Sequence, residues 1–295
     1  MKNQHVRVTS LSFSDVQESK VWEAVCAAGR MKSDLIILPE FWAGEKSLDT
    51  FNSPRVEQLR AFAKEYSTYI ISGIYRELEV GGKINSAIMI GRDGDIVGTY
   101  DKNYPYWSEF DSTPPVKVGK EPKVFETDFG KVGVAVCFDV NFPGVWQKMA
   151  DLGAQMVVWP SAYSAGTSLQ AHALNHNYYI VSSTLERDCV MYDITGKEIL
   201  YNKSINDDCV LLSSVVLDFD RSIFHRNFNE EKAKKLLADF PADVIQEMAL
   251  VREQWFVLKS VNKSVSVSEL ARQYGLEGLS AYKIRSRLEI DEMRA

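Results

Sequence analysis

Short runs of aliphatic and β-branched residues, most of them apolar on both sides, recur along most of the chain, and only a sheet covered on both faces can bury them. Residues 6–13, 35–38, 69–75, 84–90, 132–138, 156–159, 178–184 and 210–217 read as strands on this basis. Stretches with helical spacing, 19–31, 56–66, 145–152 and 168–177, lie between some of them. Gly-containing turns join others: Arg92-Asp93-Gly94-Asp95 inside a hairpin over 84–100, Asp193-Ile194-Thr195-Gly196-Lys197, and Thr127-Asp128-Phe129-Gly130. Helix-linked strands mixed with hairpins predict a mixed sheet covered by helices, an α/β layered fold. From about residue 228 the pattern turns helical (230–239, 242–258, 267–274) with little strand signal. The spacing therefore predicts a domain over 1–227 and a C-terminal helical extension over 228–295.

Composition narrows the class. At 295 residues and 45% hydrophobic, the chain can bury a core without disulfides or metal. Its 40 acids against 34 bases argue against non-specific binding to nucleic acid or a membrane surface. No stretch approaches the roughly 20 apolar residues that span a bilayer. The first residues, Met1 to Arg7, run into a strand pattern without an apolar signal core. Cys26, Cys137, Cys189 and Cys209 are scattered, with no CxxC spacing, which fits a reducing compartment. A cytoplasmic protein is expected.

Three positions place a reactive group where a buried strand gives out. In Leu35-Ile36-Ile37-Leu38-Pro39-Glu40-Phe41-Trp42, proline ends the ladder and projects Glu40 from the C-terminal edge of the sheet, where α/β proteins bind ligands. An apolar surround would tune such a carboxylate toward general-base work. In Val132-Gly133-Val134-Ala135-Val136-Cys137-Phe138-Asp139-Val140-Asn141-Phe142-Pro143-Gly144, a buried strand delivers Cys137 to a turn that leads into a helix. Such a turn exposes a nucleophile and aims backbone N–H groups at its target. In Tyr100-Asp101-Lys102-Asn103-Tyr104-Pro105-Tyr106-Trp107-Ser108-Glu109-Phe110, a hairpin strand ends in a lysine followed by an aromatic loop able to wall a pocket. Read singly, Glu40 could serve a turn, Cys137 could be a buried inert thiol, and Lys102 and Glu109 could be solvated surface charges.

Taken in order, these segments resemble the nitrilase superfamily of carbon–nitrogen hydrolases, its amidase and carbamoylase side in particular. Leu38-Pro39-Glu40 is similar to the first signature and Tyr100-Asp101-Lys102 to the second. The run from Phe129 to Pro143 is similar to the nucleophile signature, and Asp151-Leu152-Gly153-Ala154 and Val157-Val158-Trp159-Pro160-Ser161 to the segments that follow. The resemblance covers roughly residues 6 to 220. It implies a four-layer α-β-β-α sandwich, often paired as a homodimer or higher homo-oligomer, and needs no cofactor and no metal. It also implies catalytic roles: Cys137 as nucleophile, Glu40 as the base and acid that serves it, and Lys102 with the Phe138 backbone N–H holding the oxyanion. Glu109 would orient Lys102 or the substrate nitrogen. An ammonium beside Cys137 would favour the thiolate and make Cys137 the fastest-alkylated cysteine. The aromatic loop with Tyr106, together with Trp42 and Tyr163, would form a small, partly apolar acyl pocket. Asn141 stands where several carboxylate-recognising members place Arg, so a substrate carboxylate lacks its obvious bidentate partner. Gly144 replaces an acidic residue that often follows the proline. Ala171-His172-Ala173-Leu174-Asn175-His176-Asn177 sits where many relatives have an Arg-Ala-x-Glu-Asn run.

The implied substrate is a small linear amide or N-carbamoyl compound, cleaved with water. Cys-Phe-Asp, unlike Cys-Trp-Glu, favours amides over nitriles. The rivals are nitrile hydrolysis on the same triad and a non-catalytic scaffold. His172 and His176 have metal-compatible spacing but lack the following Glu of a zincin motif. No phosphate loop is present. Residues 266–276 look like the start of a helix-turn-helix, but the tail is not basic, and an arm packing on the core or on a partner subunit accounts for it better.

Overall fold

A computed structural model describes residues 5–294; residues 1–4, part of the segment read above for a signal core, and residue 295 lie outside the described residues. The chain divides into two compact units, Met1–Leu217 and Asp218–Ala295.

The first unit holds two sheets. The eight-stranded sheet runs Leu211–Asp218, His5–Ser12, Leu35–Ile37, Tyr69–Glu77, Lys83–Ile90, Ile96–Asp101, with the short strands Leu48–Asp49 and Val116–Lys117 added alongside. Its Leu35–Ile37 strand is flanked by parallel neighbours, and the last two strands fold back as antiparallel hairpins. The six-stranded sheet runs Glu198–Lys203, Asp188–Tyr192, Tyr179–Thr184, Met156–Ser161, Lys131–Val134, Lys123–Glu126. Parallel pairing fills its middle and antiparallel hairpins close both ends. The mixture follows from connection length: helices bridge the parallel pairs, and tight turns such as Thr127 to Gly130 bridge the others.

Each sheet is roofed by a helix pair. Glu18–Arg30 and Pro54–Tyr66 set Val21, Val25, Leu59 and Ala63 into one core with Leu11, Ile36 and Ile70. Pro143–Asp151 and Thr167–His176 set Trp146, Met149, Leu169 and Ala173 against Val157, Trp159 and Ile180. Prolines at the first helical position start two of the four. Between the sheets the contact is partly polar. Ser10 Oγ donates to the Ser182 carbonyl (2.7 Å), Ser183 Oγ to the Leu11 carbonyl (2.6 Å), and the Phe13 N–H to the Thr184 carbonyl (3.1 Å). The architecture is a four-layer α-β-β-α sandwich.

The second unit corrects one expectation. Helices form at Glu230–Asp239 and Val267–Tyr274, as the spacing predicts, and a further helix spans Leu279–Arg294. The helical reading of 242–258 is wrong. Those residues form the strands Val244–Leu250 and Trp255–Ser260, which join Ser222–His225 in an antiparallel sheet. The turn between them, Val251-Arg252-Glu253-Gln254, carries no Gly, Pro or Asn, and its left-handed position is taken by Gln254 (φ +59°). The usual turn signal is missing, so the apolar spacing read as a helix. Phe224, Leu236, Val244, Phe256, Leu258 and Leu270 give this unit its own core. Among the described residues no helix is long and apolar enough to cross a membrane.

Candidate active site

Glu40 follows the Leu35–Ile37 strand and is completely buried. Glycine makes this possible from the neighbouring strand. A Cβ on Gly73 would lie 2.4 Å from the Pro39 carbonyl oxygen and 2.5 Å from the Glu40 Cα, so only glycine lets the Glu40 loop descend onto the sheet. Lys102 follows the Ile96–Asp101 strand and is 1% exposed. Its backbone is pinned twice: the Lys102 N–H donates to the Asn85 carbonyl and the Gly119 N–H donates to the Lys102 carbonyl, each at 2.9 Å. A Cβ on Gly119 would meet the Asp101 carbonyl oxygen at 2.0 Å.

The three charged groups share one network. Lys102 Nζ donates to Glu40 Oε1 at 2.8 Å and to Glu109 Oε1 at 2.5 Å. Asn85 Nδ2 bridges the same two carboxylates, at 2.7 Å to Glu40 Oε1 and 2.9 Å to Glu109 Oε2. The other Glu40 oxygen accepts from the Ala162 N–H (2.9 Å), and Glu109 also accepts from Tyr75 OH and the Tyr106 N–H. Burial works against the Lys102 ammonium, but the charges of Glu40 and Glu109 outweigh it and hold its pKa above the usual lysine value. For Glu109 burial pushes the other way, yet Lys102 and the hydrogen bonds hold its carboxyl below the usual range.

Cys137 opens a short 3-10 turn, Cys137–Asn141, with a left-handed backbone (φ +48°) that costs energy for a residue bearing a Cβ. The turn is held from several sides. Trp159 Nε1 donates to the Cys137 carbonyl (2.9 Å), Trp146 Nε1 to the Asp139 carbonyl (3.0 Å), and His172 Nε2 lies 2.9 Å from the Val140 carbonyl while its ring stacks on Trp146. Asp139 ties the nucleophile turn to the lysine loop: one oxygen accepts from the Val136 N–H and Tyr100 OH, the other from the Tyr104 N–H. Sequence reasoning gave Asp139 no role, nor Asn85, Gly73, Gly119 or Tyr75. A polar Asn85 inside an apolar strand and a glycine inside another were the available signals.

The expectation of a resting thiolate is corrected. Burial and the nearby Glu40 carboxylate push the Cys137 thiol up, and Lys102 with the Ala162 N–H and the Ser161 hydroxyl offset only part of this. At the sulfur the field of Glu40 opposes that of Lys102, and burial adds to it.

Burial pushes the Asp139 carboxyl up from an ordinary 3.8 to about 6, against the pull of its hydrogen bonds. A raised carboxyl pKa means the folded chain binds a proton that the unfolded chain has released. This group's stabilising share is therefore complete below its ordinary value and is lost as pH rises through about 6. The full swing is about 3 kcal/mol. Thermal melts of wild type and Asp139→Asn across that window check it: the variant should show the shallower fall, and parallel curves would contradict the assignment.

Glu40, Lys102, Glu109 and Cys137 line one cavity of about 550 Å³. Tyr106, Phe138, Asn141 and Tyr163 line it too. Trp42 does not, which corrects its assignment to the acyl pocket. Its ring packs edge-on to Phe13 and Trp22 in the helix-covered core, and its Nε1 donates to Ser72 Oγ. Placed directly after a reactive strand end, it looked available, but the chain reverses at Phe41 (φ +28°) and turns the indole under the sheet.

The family model for carbon-nitrogen hydrolases matches residues 16–249. Omega-amidase NIT2 of Xenopus tropicalis is 29% identical over 145 residues, 45% of this chain and 52% of that protein. The chloroplastic omega-amidase of Arabidopsis thaliana is 25% identical over 207 residues, 61% and 55% of the two chains. The chain thus spans about half the length of these curated relatives. In structure it is similar to Saccharomyces cerevisiae Nit3, a member of branch 10 of the nitrilase superfamily (TM-score 0.63, 18% identity, 73% of this chain and 90% of that one). It is similar also to an amidase from Nesterenkonia sp. (TM-score 0.61, 17% identity, 74% and 92%). A family match across most of the chain, joined to the sandwich described above, makes this protein a member of the carbon-nitrogen hydrolase family.

Proposed function

We propose that the chain hydrolyses the C–N bond of a small linear amide or N-carbamoyl compound through a thioester on Cys137, as a homodimer or higher homo-oligomer. Cys137 Sγ attacks the carbonyl carbon and its proton passes to Glu40. Lys102 Nζ and the Phe138 N–H take the oxyanion. Glu40 then returns the proton to the nitrogen, the C–N bond breaks, and ammonia or an amine leaves. Water enters, Glu40 takes its proton, and the oxygen attacks the thioester. Collapse releases the acid and the sulfur takes back the proton from Glu40. A neutral resting thiol suits this cycle, because Glu40 must be a free carboxylate to receive a proton at each attack.

The supporting observation is the shared wall: thiol, carboxylate and ammonium face one cavity, and Lys102 keeps its charge by contacting two carboxylates at once. Asp139 and Asn85 are positioning residues on this reading. The decisive test uses an amide and carbamoyl panel with hydroxylamine present. Wild type should release ammonia and yield hydroxamates, and Cys137→Ala should do neither while melting like wild type. Hydroxamate formation by Cys137→Ala would sink the thioester. Acid formed from a simple nitrile would favour the nitrile reaction instead.

A further inference from the structure

The cavity wall carries three carboxylates, Glu40, Glu45 and Glu109, against one ammonium, Lys102. Two of the three N–H donors of that ammonium go to two of the three acids, at 2.8 and 2.5 Å. No arginine lines the cavity among the described residues. The third acid, Glu45, is exposed on the loop after Glu40, just past a turn in which the Gly44 N–H donates to the Phe41 carbonyl. Its carboxylate makes no hydrogen bond and no ion pair among the described residues, but its charge acts on the Lys83 ammonium nearby. Aromatic faces stand nearby: Phe41 stacks flat on Tyr75 (5.0 Å between centroids, 6° between planes), and Tyr106 packs against Phe138. Rings beside an unpaired carboxylate attract cations and repel anions.

Lys83 is a further cation near the wall. It does not line the cavity. Its ammonium lies 4.1 Å over the Tyr75 ring and 3.5 Å from the Glu45 backbone carbonyl, and the residue is 4% exposed. A substrate carboxylate could reach it only by displacing those contacts.

We infer that the cavity selects amides whose far end is neutral or cationic and rejects those ending in a carboxylate, with Glu45 holding the cationic end. This rests on the hydrolase reading above and adds the substrate's charge class to it. A carboxylate brought among three acids would face like charges at close range, while an ammonium near Glu45 gains a charge-assisted contact.

Valeramide, δ-aminovaleramide and glutaramate share a chain length and differ in the charge of the far end. Ammonia release should run fastest on δ-aminovaleramide and slowest on glutaramate, with on the order of tenfold or more between them in kcat/KM. Glu45→Gln should shrink that ratio and Glu45→Lys should invert it. Glutaramate hydrolysed faster than valeramide would overturn the inference, and loss of that preference in Lys83→Met would name Lys83 as a carboxylate anchor instead. A second measurement needs no turnover. Alkylation of Cys137 by iodoacetate relative to iodoacetamide, each scaled to glutathione, should be depressed on the order of tenfold in wild type and less so in Glu45→Gln. Equal scaled rates would overturn the charge selection even if the protein hydrolysed nothing. Hydrolysis of none of the three amides, with iodoacetate still disfavoured, would fault the hydrolase reading and leave the charge selection standing.

Discussion

Glu40→Gln is expected to lose hydrolysis by on the order of a thousandfold and, at the same time, to alkylate faster at Cys137 at neutral pH. The two effects run in opposite directions for one reason. On the proposed mechanism Glu40 accepts the thiol proton, so an amide in its place removes all four proton transfers of the cycle. Glu40 also raises the thiol pKa, second only to burial, so removing its charge leaves Lys102 as the dominant neighbour and lets more thiolate form. Glutamine keeps the shape, and its amide oxygen can still accept from Lys102 and Asn85. Ammonia release and peptide mass mapping after limiting iodoacetamide give the two readouts. A variant slow in both would mean that Glu40 mainly holds the site together, and a variant near wild-type turnover would end its role as base.

The second large effect is expected at a residue with no chemistry of its own. Gly73→Ala places a methyl 2.4 Å from the Pro39 carbonyl oxygen and 2.5 Å from the Glu40 Cα, both backbone atoms that no rotamer change can move. Either the Glu40 loop lifts or the strand Tyr69–Glu77 bends. Overpacking of this kind costs about 1–3 kcal/mol, and a displacement near 1 Å between reacting groups costs on the order of a hundredfold in rate. The expected signature is a fall in kcat much steeper than the fall in melting temperature, measured by amide turnover and thermal melts. A variant as stable and as active as wild type would show that the loop is free to rise.

The contrast between these two residues shows what a single chain can reveal. Glu40 and Cys137 were legible because each sits where an apolar run stops, at Pro39 and at the turn into Pro143, and punctuation of that kind is local. Lys102 and Glu109 were legible through spacing and resemblance. Asn85, Gly73 and Gly119 were not, because their roles exist only across strand pairings: Asn85 lies on the strand between Tyr69–Glu77 and Ile96–Asp101, and Gly73 matters only because Pro39 passes above it. Trp42 was misjudged for the same reason. Local context made it a neighbour of Glu40, and a backbone reversal one residue earlier sent it into the core. The thiolate expectation failed because burial, with the Glu40 carboxylate behind it, raises the thiol more than Lys102 lowers it. The hairpin at 244–260 was lost because Gln254 took a position that glycine or asparagine usually marks.

The serine seam between the sheets carries a consequence for the chemistry. Glu40 and Lys102 follow strands of one sheet and Cys137 a strand of the other, so the three keep their spacing on the cavity wall only if the two slabs cannot slide. A purely greasy contact would tolerate small slippage, since methyl groups are indifferent to which neighbour they meet. Hydroxyls at Ser10 and Ser183 are not indifferent; each finds its carbonyl at a single offset. The seam thus works as a vernier for the cavity wall, and swapping both serines for alanine would preserve the packing volume while releasing the alignment.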